Sequence, residues 1–304
     1  MPNRRGMDTI PILFDTDIGS DIDDAVALAY LLRQPRCDLL GITTVTGEPD
    51  KRAALADAIV QASGRGDVPI HVGLAAPLLV APLQPQAAQA EVLTGHPHRA
   101  FGPRPTAIDF LRETIRARPG EITLLATGPF TNLAILFALD PELPTLLKQL
   151  VVMGGVYYTR GYDQTNAEWN IRNDPHAAAI VFHAPVSKLV AVGLDVTMQC
   201  RMPSDEVRQR FTQAGPPLDL VLAMAEVWFR HAPQITFHDP LAAALIFEPS
   251  LCTVERQRIE VELISPRGLG QTYFDTAAPQ KPHEIATRVD ADAFFEHYFA
   301  TVGG

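Results

Sequence analysis

Within the stretch "FDTDIGSDIDDAVALAYLL" (14–32), five aspartates, Asp15, Asp17, Asp21, Asp23 and Asp24, fall into ten consecutive positions. Aspartates at a helix start cap its free N–H groups and complement its dipole, each for about 0.3–1 kcal/mol. That accounts for one or two of them. Five like charges in so short a span repel one another unless protons or a cation neutralise them. The residues after Asp24, "AVALAYLL", are apolar on every face, which predicts a buried helix and holds the carboxylates at the edge of a core. With neither His nor Cys nearby, the donors are hard oxygens, which suit Ca2+ or Mg2+ better than zinc.

Two later stretches repeat this grammar. In "ITFHDPLAAALIF" (235–247) an apolar run leads to His238 and Asp239, then to Pro240 in a helix-opening position. Asp239 either closes a cation cage begun by Asp17 and Asp24 or serves only as a cap. In "NAEWNIRNDPHAAAIVF" (166–182), Asn166, Glu168 and Asn170 alternate just before a helix capped by Asp174-Pro175. Such side chains suit recognition of vicinal hydroxyls, the plain alternative being an exposed polar loop.

The elements that must position these residues follow from hydrophobic pattern. Runs rich in β-branched residues at 9–15, 39–47, 69–73, 121–128, 149–155 and 188–196 alternate with helix-like stretches such as "PDKRAALADAIVQASG" and "TAIDFLRETIRARPG". Strand, helix, strand in repetition predicts an α/β fold: an open, mostly parallel, Rossmann-like sheet covered on both faces. Such sheets bind ligands at the C-terminal ends of their strands, where the acidic cluster, Gly47-Glu48, Thr127-Gly128 and Gly154-Gly155 all fall. The Pro-, Gln- and Ala-rich segment 79–105 predicts a long loop, placed to act as a lid. Residues 216–237 read as helical and 255–278 as a terminal β segment. No repeat or linker divides the chain, so 1–304 is expected to be one domain with a flexible 1–8.

Of the 304 residues 47% are hydrophobic and 20% charged, and the net charge is −10, which fits a globular chain able to bury a sizeable core. No Lys/Arg cluster is present, so a nucleic-acid partner is not expected. Cys37, Cys200 and Cys252 lack metal-ligand spacing and read as reduced thiols. The N-terminus has no apolar signal core, and no run approaches the ~18 apolar residues of a membrane span, so no membrane partner and a cytoplasmic address are expected.

Asp15-Thr-Asp17-Ile-Gly19 with Asp23-Asp24-Ala25, "ATGPFTNLA" (126–134), "VVMGG" (151–155), "AEWN" with Asp174-Pro175, and "HDPLA" (238–242) occur in an order and spacing that resembles the inosine-uridine-preferring nucleoside hydrolases, from about residue 10 to residue 300. The resemblance implies a calcium-dependent N-ribohydrolase that cleaves a ribonucleoside to ribose and free base. It implies Ca2+ held by Asp17, Asp24 and Asp239 through carboxylates and by Thr127 through its carbonyl, with ribose hydroxyls completing the sphere. Asp17 would be the general base on a metal-bound water. Asp23 would bind a ribose hydroxyl and Glu168 and Asn170 the remaining hydroxyls, and Asn166 and Met153 would join the substrate contacts. His238 would protonate the leaving base, with a histidine pKa placed for neutral pH. Carboxylates under the sugar would stabilise its oxocarbenium-like charge. The resemblance also implies a homodimer or homotetramer.

The chain departs from the family pattern at three places. The insertion "SDI" lengthens the first loop by two residues and adds Asp21, an alternative to Asp23. The family's Gly-Asn is Gly47-Glu48 here, so Glu48 stands where an amide would contact ribose. The lid reads "TGHPHRAFG", in which His96 and His98 are alternative substrate contacts. Trp228, with Phe229 and His231 beside it, either stacks on the base or fills the core, and purine or pyrimidine preference stays open. Two rival functions are a Mg2+-dependent DxD phosphatase and a non-catalytic Ca2+/ribosyl-binding protein of the same fold.

Overall fold

The apolar runs form strands because each is flanked by helices that bury both of its faces. The computed structural model describes residues 9–158 and 167–303; the expectation for residues 1–8 lies outside them. Six strands follow one another as β1 (Ile10–Thr16), β2 (Cys37–Thr44), β3 (Ile70–Val72), β4 (Thr123–Ala126), β5 (Gln149–Met153) and β6 (Leu189–Val192). A short antiparallel pair comes next, β7 (Arg201–Pro203) with β8 (Gln234–Thr236). Then come β9 (Cys252–Gln257), a second such pair, β10 (Ile259–Val261) with β11 (Thr272–Phe274), and β12 (His283–Val289).

The main sheet has eight strands in the order β3-β2-β1-β4-β5-β6-β12-β9, parallel apart from the edge strand β9, which runs against β12. β12 is an addition to the sequence expectation. It lies beyond the 255–278 segment and enters the sheet between β6 and β9. The strands are also shorter than the apolar runs: β4 ends at Ala126 and β6 at Val192, after which Leu194–Thr197 turns into a helix. Residues just past the strand ends leave the ladder to build loops.

The helices are α1 (Asp23–Arg33), α2 (Pro49–Ala62), α3 (Ala107–Ala117), α4 (Thr131–Leu139), α5 (Trp169–Asn173), α6 (Pro175–His183), α7 (Leu194–Thr197), α8 (Ser204–Ala214), α9 (Leu218–Trp228), α10 (His238–Phe247) and α11 (Ala291–Val302). Along β1 successive side chains point to opposite faces. Ile12 and Phe14 join the core under α1, α2, α9, α10 and α11, while Leu13 joins the core under α3, α4 and α6. Helix α1 is buried from Asp23 to Leu32, as its all-apolar sequence requires. The 79–105 segment is irregular except for a 3-10 helix over Ala88–Gly95. Among the described residues no helix is long and apolar enough to cross a membrane.

Chain growth reverses between β1 and β4: β2 and β3 lie on one side of β1, and β4 to β6 on the other. That reversal opens a crevice at the C-terminal strand ends, the usual ligand site of such sheets.

Candidate active site and cation site

The acidic loop leaves β1 at this crevice. Asp17, Asp23 and Asp24 are 6%, 4% and 3% exposed, and Asp239, arriving at the start of α10, is 2% exposed. One carboxylate oxygen from each of Asp23, Asp24 and Asp239 can be chosen so that all lie within 4.8 Å of one another. The Asp239 N–H donates to Asp23 Oδ2 at 3.2 Å. Thr16 Oγ1 donates to Asp24 Oδ1, and Thr127 Oγ1 donates to the same oxygen at 2.9 Å. Gly128 lets the β4 loop approach this closely, because a Cβ there would come within 2.9 Å of the Asp17 nitrogen.

Electrostatics make the cluster costly as it stands. Burial, and then the Asp24 charge, hold Asp17 well above the usual carboxylate range. Burial and the charges of Asp21 and Asp24 do the same to Asp23. For Asp239 the causes are burial and then Asp23, Asp24 and Asp17. Asp24 is also raised by burial, against the hydrogen bonds from Thr16 and Thr127. Half-buried Asp21 is pushed up to about 7, chiefly by burial. Crowded carboxylates of this kind bind a proton or a hard cation readily. The donor set is all oxygen and therefore fits Ca2+ or Mg2+.

Among the described residues, Arg52, a fully buried side chain of α2, places its positive charge against both Asp17 and Asp24. Its Nη1 donates to the carbonyls of Asp17 and Ile18 and to Ser20 Oγ, and its Nε donates to the Thr46 carbonyl at 2.8 Å. Nothing in the sequence sets Arg52 apart, since a Lys-Arg pair early in a helix ordinarily faces water.

A cavity of about 550 Å³ opens above the carboxylates. Besides the aspartates it is lined by Thr127, Met153, Glu168, Asn170, Trp228 and His238, all expected from sequence, and by Ser20, Gln84, Trp169, Arg172, Leu194 and Met198, which were not. Glu168 caps α5: Oε1 accepts the Asn170 N–H at 2.8 Å, and Oε2 accepts those of Gly155 and Ile171, each at 3.1 Å. Asn170 Nδ2 donates to the Thr127 carbonyl at 2.6 Å and to the Met153 carbonyl at 3.2 Å, leaving Oδ1 as its remaining polar atom.

Not every residue named from the sequence reaches the cavity. Glu48 turns away from the cavity, accepting the Ala87 N–H at 3.1 Å and pairing with Lys51 at 2.6 Å. It ties the 79–105 segment down instead of standing beside the sugar. His96 and His98 lie outside the cavity lining, with His98 Nδ1 2.8 Å from the His96 carbonyl. Of the two alternatives for Phe229 the core-packing one holds: it packs against the main core, with the Arg208 guanidinium 4.9 Å from its ring centre. Asn166 lies outside the described residues. His238 lines the cavity, its Nδ1 2.7 Å from Thr197 Oγ1, but burial and the nearby Arg201 charge push its pKa down to about 4, so the imidazole is neutral at pH 7.

Comparison with known proteins gives a consistent result. The family profile described as inosine-uridine preferring nucleoside hydrolase matches residues 12–296. The pyrimidine-specific ribonucleoside hydrolase RihA of Citrobacter koseri is 32% identical over 283 residues, covering 88% of this chain and 88% of that protein. The non-specific ribonucleoside hydrolase RihC of Shigella boydii is 32% identical over 306 residues, covering 96% and 98%. Among solved structures, a purine-preferring ribonucleoside hydrolase from Gardnerella vaginalis superposes with a TM-score of 0.84 at 25% identity, over 97% of this chain and 98% of that one.

Proposed function

The chain belongs to the inosine-uridine preferring nucleoside hydrolase family and hydrolyses ribonucleosides; from that premise we propose that it does so with Ca2+ at the acidic cluster and Asp17 as general base. The observation that carries this reading is the meeting of buried carboxylates in a cavity at the strand-end crevice: Asp23, Asp24 and Asp239 draw together, and Asp17 lines the same cavity and acts electrostatically on both Asp24 and Asp239.

Asp17, Asp24 and Asp239 would hold the cation. The Thr127 carbonyl would join them, since an oxygen that accepts one hydrogen bond from Asn170 keeps a second lone pair. When bound, the cation supplies positive charge that orients the ribose hydroxyls and acidifies a nearby water. Asp17, which lines the cavity, takes the proton of the water that attacks the anomeric carbon. Asp23 accepts a ribose hydroxyl. Glu168 and the Oδ1 of Asn170 hold the others, rigidly, because both side chains are fixed by backbone groups. As the base departs, the anionic floor stabilises the positive charge growing on the sugar.

His238 acts on the leaving base as a neutral imidazole. If the Thr197 hydroxyl donates to Nδ1, then Nε2 carries the proton and can donate it as a hydrogen bond. Segment 79–105, tied down through Glu48, serves as the lid, and assembly as a homodimer or homotetramer belongs to the same reading.

The test is release of reducing sugar from inosine, uridine, cytidine, adenosine and guanosine, with and without chelator. Ribose release that stops on chelation and returns with Ca2+ is expected. Release unaffected by chelation would overturn the cation assignment, and binding of ribosides without release would favour the non-catalytic rival. Sedimentation of the purified protein tests the assembly.

A further inference from the structure

Gln84 and Trp169 line the cavity on its solvent side. Trp169 is 43% exposed, whereas the aspartates of the floor are nearly inaccessible. With ribose on the floor, the base lies toward this outer end. Trp169 Nε1 is 2.5 Å from Gln84 Oε1. An indole N–H only donates, so the amide atom facing it must be the oxygen. The Gln84 NH2 is left over, and among the described residues it has no hydrogen-bond partner. Trp228, the other indole of the lining, gives its N–H to the Gln234 carbonyl at 2.9 Å and keeps only its ring for the cavity.

Gln84 is held from behind as well. Gly47 has φ +58°, and a Cβ there would come within 2.4 Å of the Gln84 carbonyl oxygen, so the lid backbone rests directly on the loop after β2. Three residues on, the Ala87 N–H is held by Glu48. The amide is thus fixed at both its backbone and its oxygen.

Resting on the nucleoside-hydrolase reading above, we propose that Gln84 is a specificity-determining residue, its NH2 donating to a carbonyl on the base edge, with Trp169 fixing which end of the amide is presented. A uracil or hypoxanthine edge offers an acceptor to that NH2. The exocyclic amino group of cytosine or adenine sets donor against donor, and a mispaired polar edge is what a hydrogen-bonding site rejects.

The experiment measures kcat/KM for uridine and cytidine, and for inosine and adenosine, in the wild-type chain, Gln84→Glu and Trp169→Phe. Each enzyme is judged by its own uridine-to-cytidine and inosine-to-adenosine ratios, so losses in folded fraction cancel. Gln84→Glu keeps an oxygen for the indole N–H and replaces the NH2 with an acceptor. It is expected to shift both ratios about tenfold toward the amino-bearing base. Trp169→Phe frees the amide to turn over and should bring both ratios to an intermediate value; should Gln84→Glu fail to fold, this variant decides. Ratios unchanged from wild type in the variants that fold would overturn the proposal while leaving the hydrolase reading intact. Failure of the wild-type chain to cleave any nucleoside would overturn both.

Discussion

The guanidinium of Arg52 donates through Nη1 to the backbone carbonyl of Asp17, so a fully buried cation lies directly beneath the acidic loop. The same group reaches the carbonyls of Ile18 and Thr46 and the Ser20 hydroxyl. Burial lowers its pKa, while the charges of Asp17 and Asp24 oppose that shift. Two effects therefore act on the cation site with opposite sign. The Arg52 charge repels a second cation nearby, whereas its planar fork fixes the loop that would hold that cation. The carbonyls it satisfies are buried, so geometry outweighs repulsion: each one left without a donor costs about 1–3 kcal/mol.

Arg52→Met should accordingly destabilise the fold by about 3–5 kcal/mol, since it leaves several buried acceptors and two carboxylates uncompensated. Arg52→Lys keeps the charge without the fork and should fall between the two. Urea denaturation, followed in chelator and in Ca2+, measures this. An Arg52→Met midpoint equal to that of wild type would show that the fork contributes nothing to the loop.

Removal of one carboxylate has a different signature. In Asp239→Asn the repulsion from Asp23, Asp24 and Asp17 is relieved, so the chain in chelator should become more stable, by on the order of 1 kcal/mol. The gain from Ca2+ should vanish along with turnover. For the wild-type chain that gain is about 2.7 kcal/mol at a hundredfold excess over the dissociation constant. Thermal unfolding with and without Ca2+ gives both numbers. An Asp239→Asn chain that is still stabilised by Ca2+ would remove Asp239 from the ligand set.

Much of this site was legible because its residues sit at strand ends in a chain whose strands announce themselves by apolar runs. Asp24 and Asp239 each precede an all-apolar helix, and the structure puts them side by side. Glu168 and Asn170 were legible from alternation before the Asp174 cap. What stayed hidden depends on contacts far apart in sequence. Nothing local to Glu48 tells that a lid N–H, from Ala87, will claim its carboxylate. Nothing in the helical pattern of "PDKRAALADA" separates a buried Arg52 from a solvated one. β12 escaped notice because its pattern of burial is mixed, and its place between β6 and β9 is set by partners far away in sequence.

A pH effect on stability is expected at a second buried histidine, far from the cation site in sequence. His283 of β12 is 3% exposed, and its Nδ1 accepts the Ile259 N–H at 2.9 Å. Burial pushes its pKa down to about 4. Below the unfolded value near 6.5 the unfolded chain binds the extra proton and the folded chain does not, so stability falls as pH drops from about 6.5 to about 4. The ceiling on this contribution is about 3 kcal/mol. Urea titrations of wild type and His283→Gln across that window test it: the variant, though less stable at pH 7, should lose less on acidification. Parallel profiles would place the pH dependence elsewhere.

The last prediction concerns how His238 works. Its Nδ1 lies against Thr197 Oγ1, a hydroxyl on a fully buried side chain. Thr197→Val preserves shape but removes the group that fixes the ring, so Nε2 is no longer held in one protonation state and orientation. Substrate still binds through its ribose, which predicts a loss in kcat of about 10- to 100-fold with little change in KM. His238→Ala should cost at least as much with uridine or inosine. On a p-nitrophenyl riboside, whose leaving group departs without protonation, both variants should approach wild-type rates. Equal losses on the activated and natural substrates would mean that His238 shapes the cavity without assisting the base, and leaving-group activation would then have to come from another residue of the outer cavity.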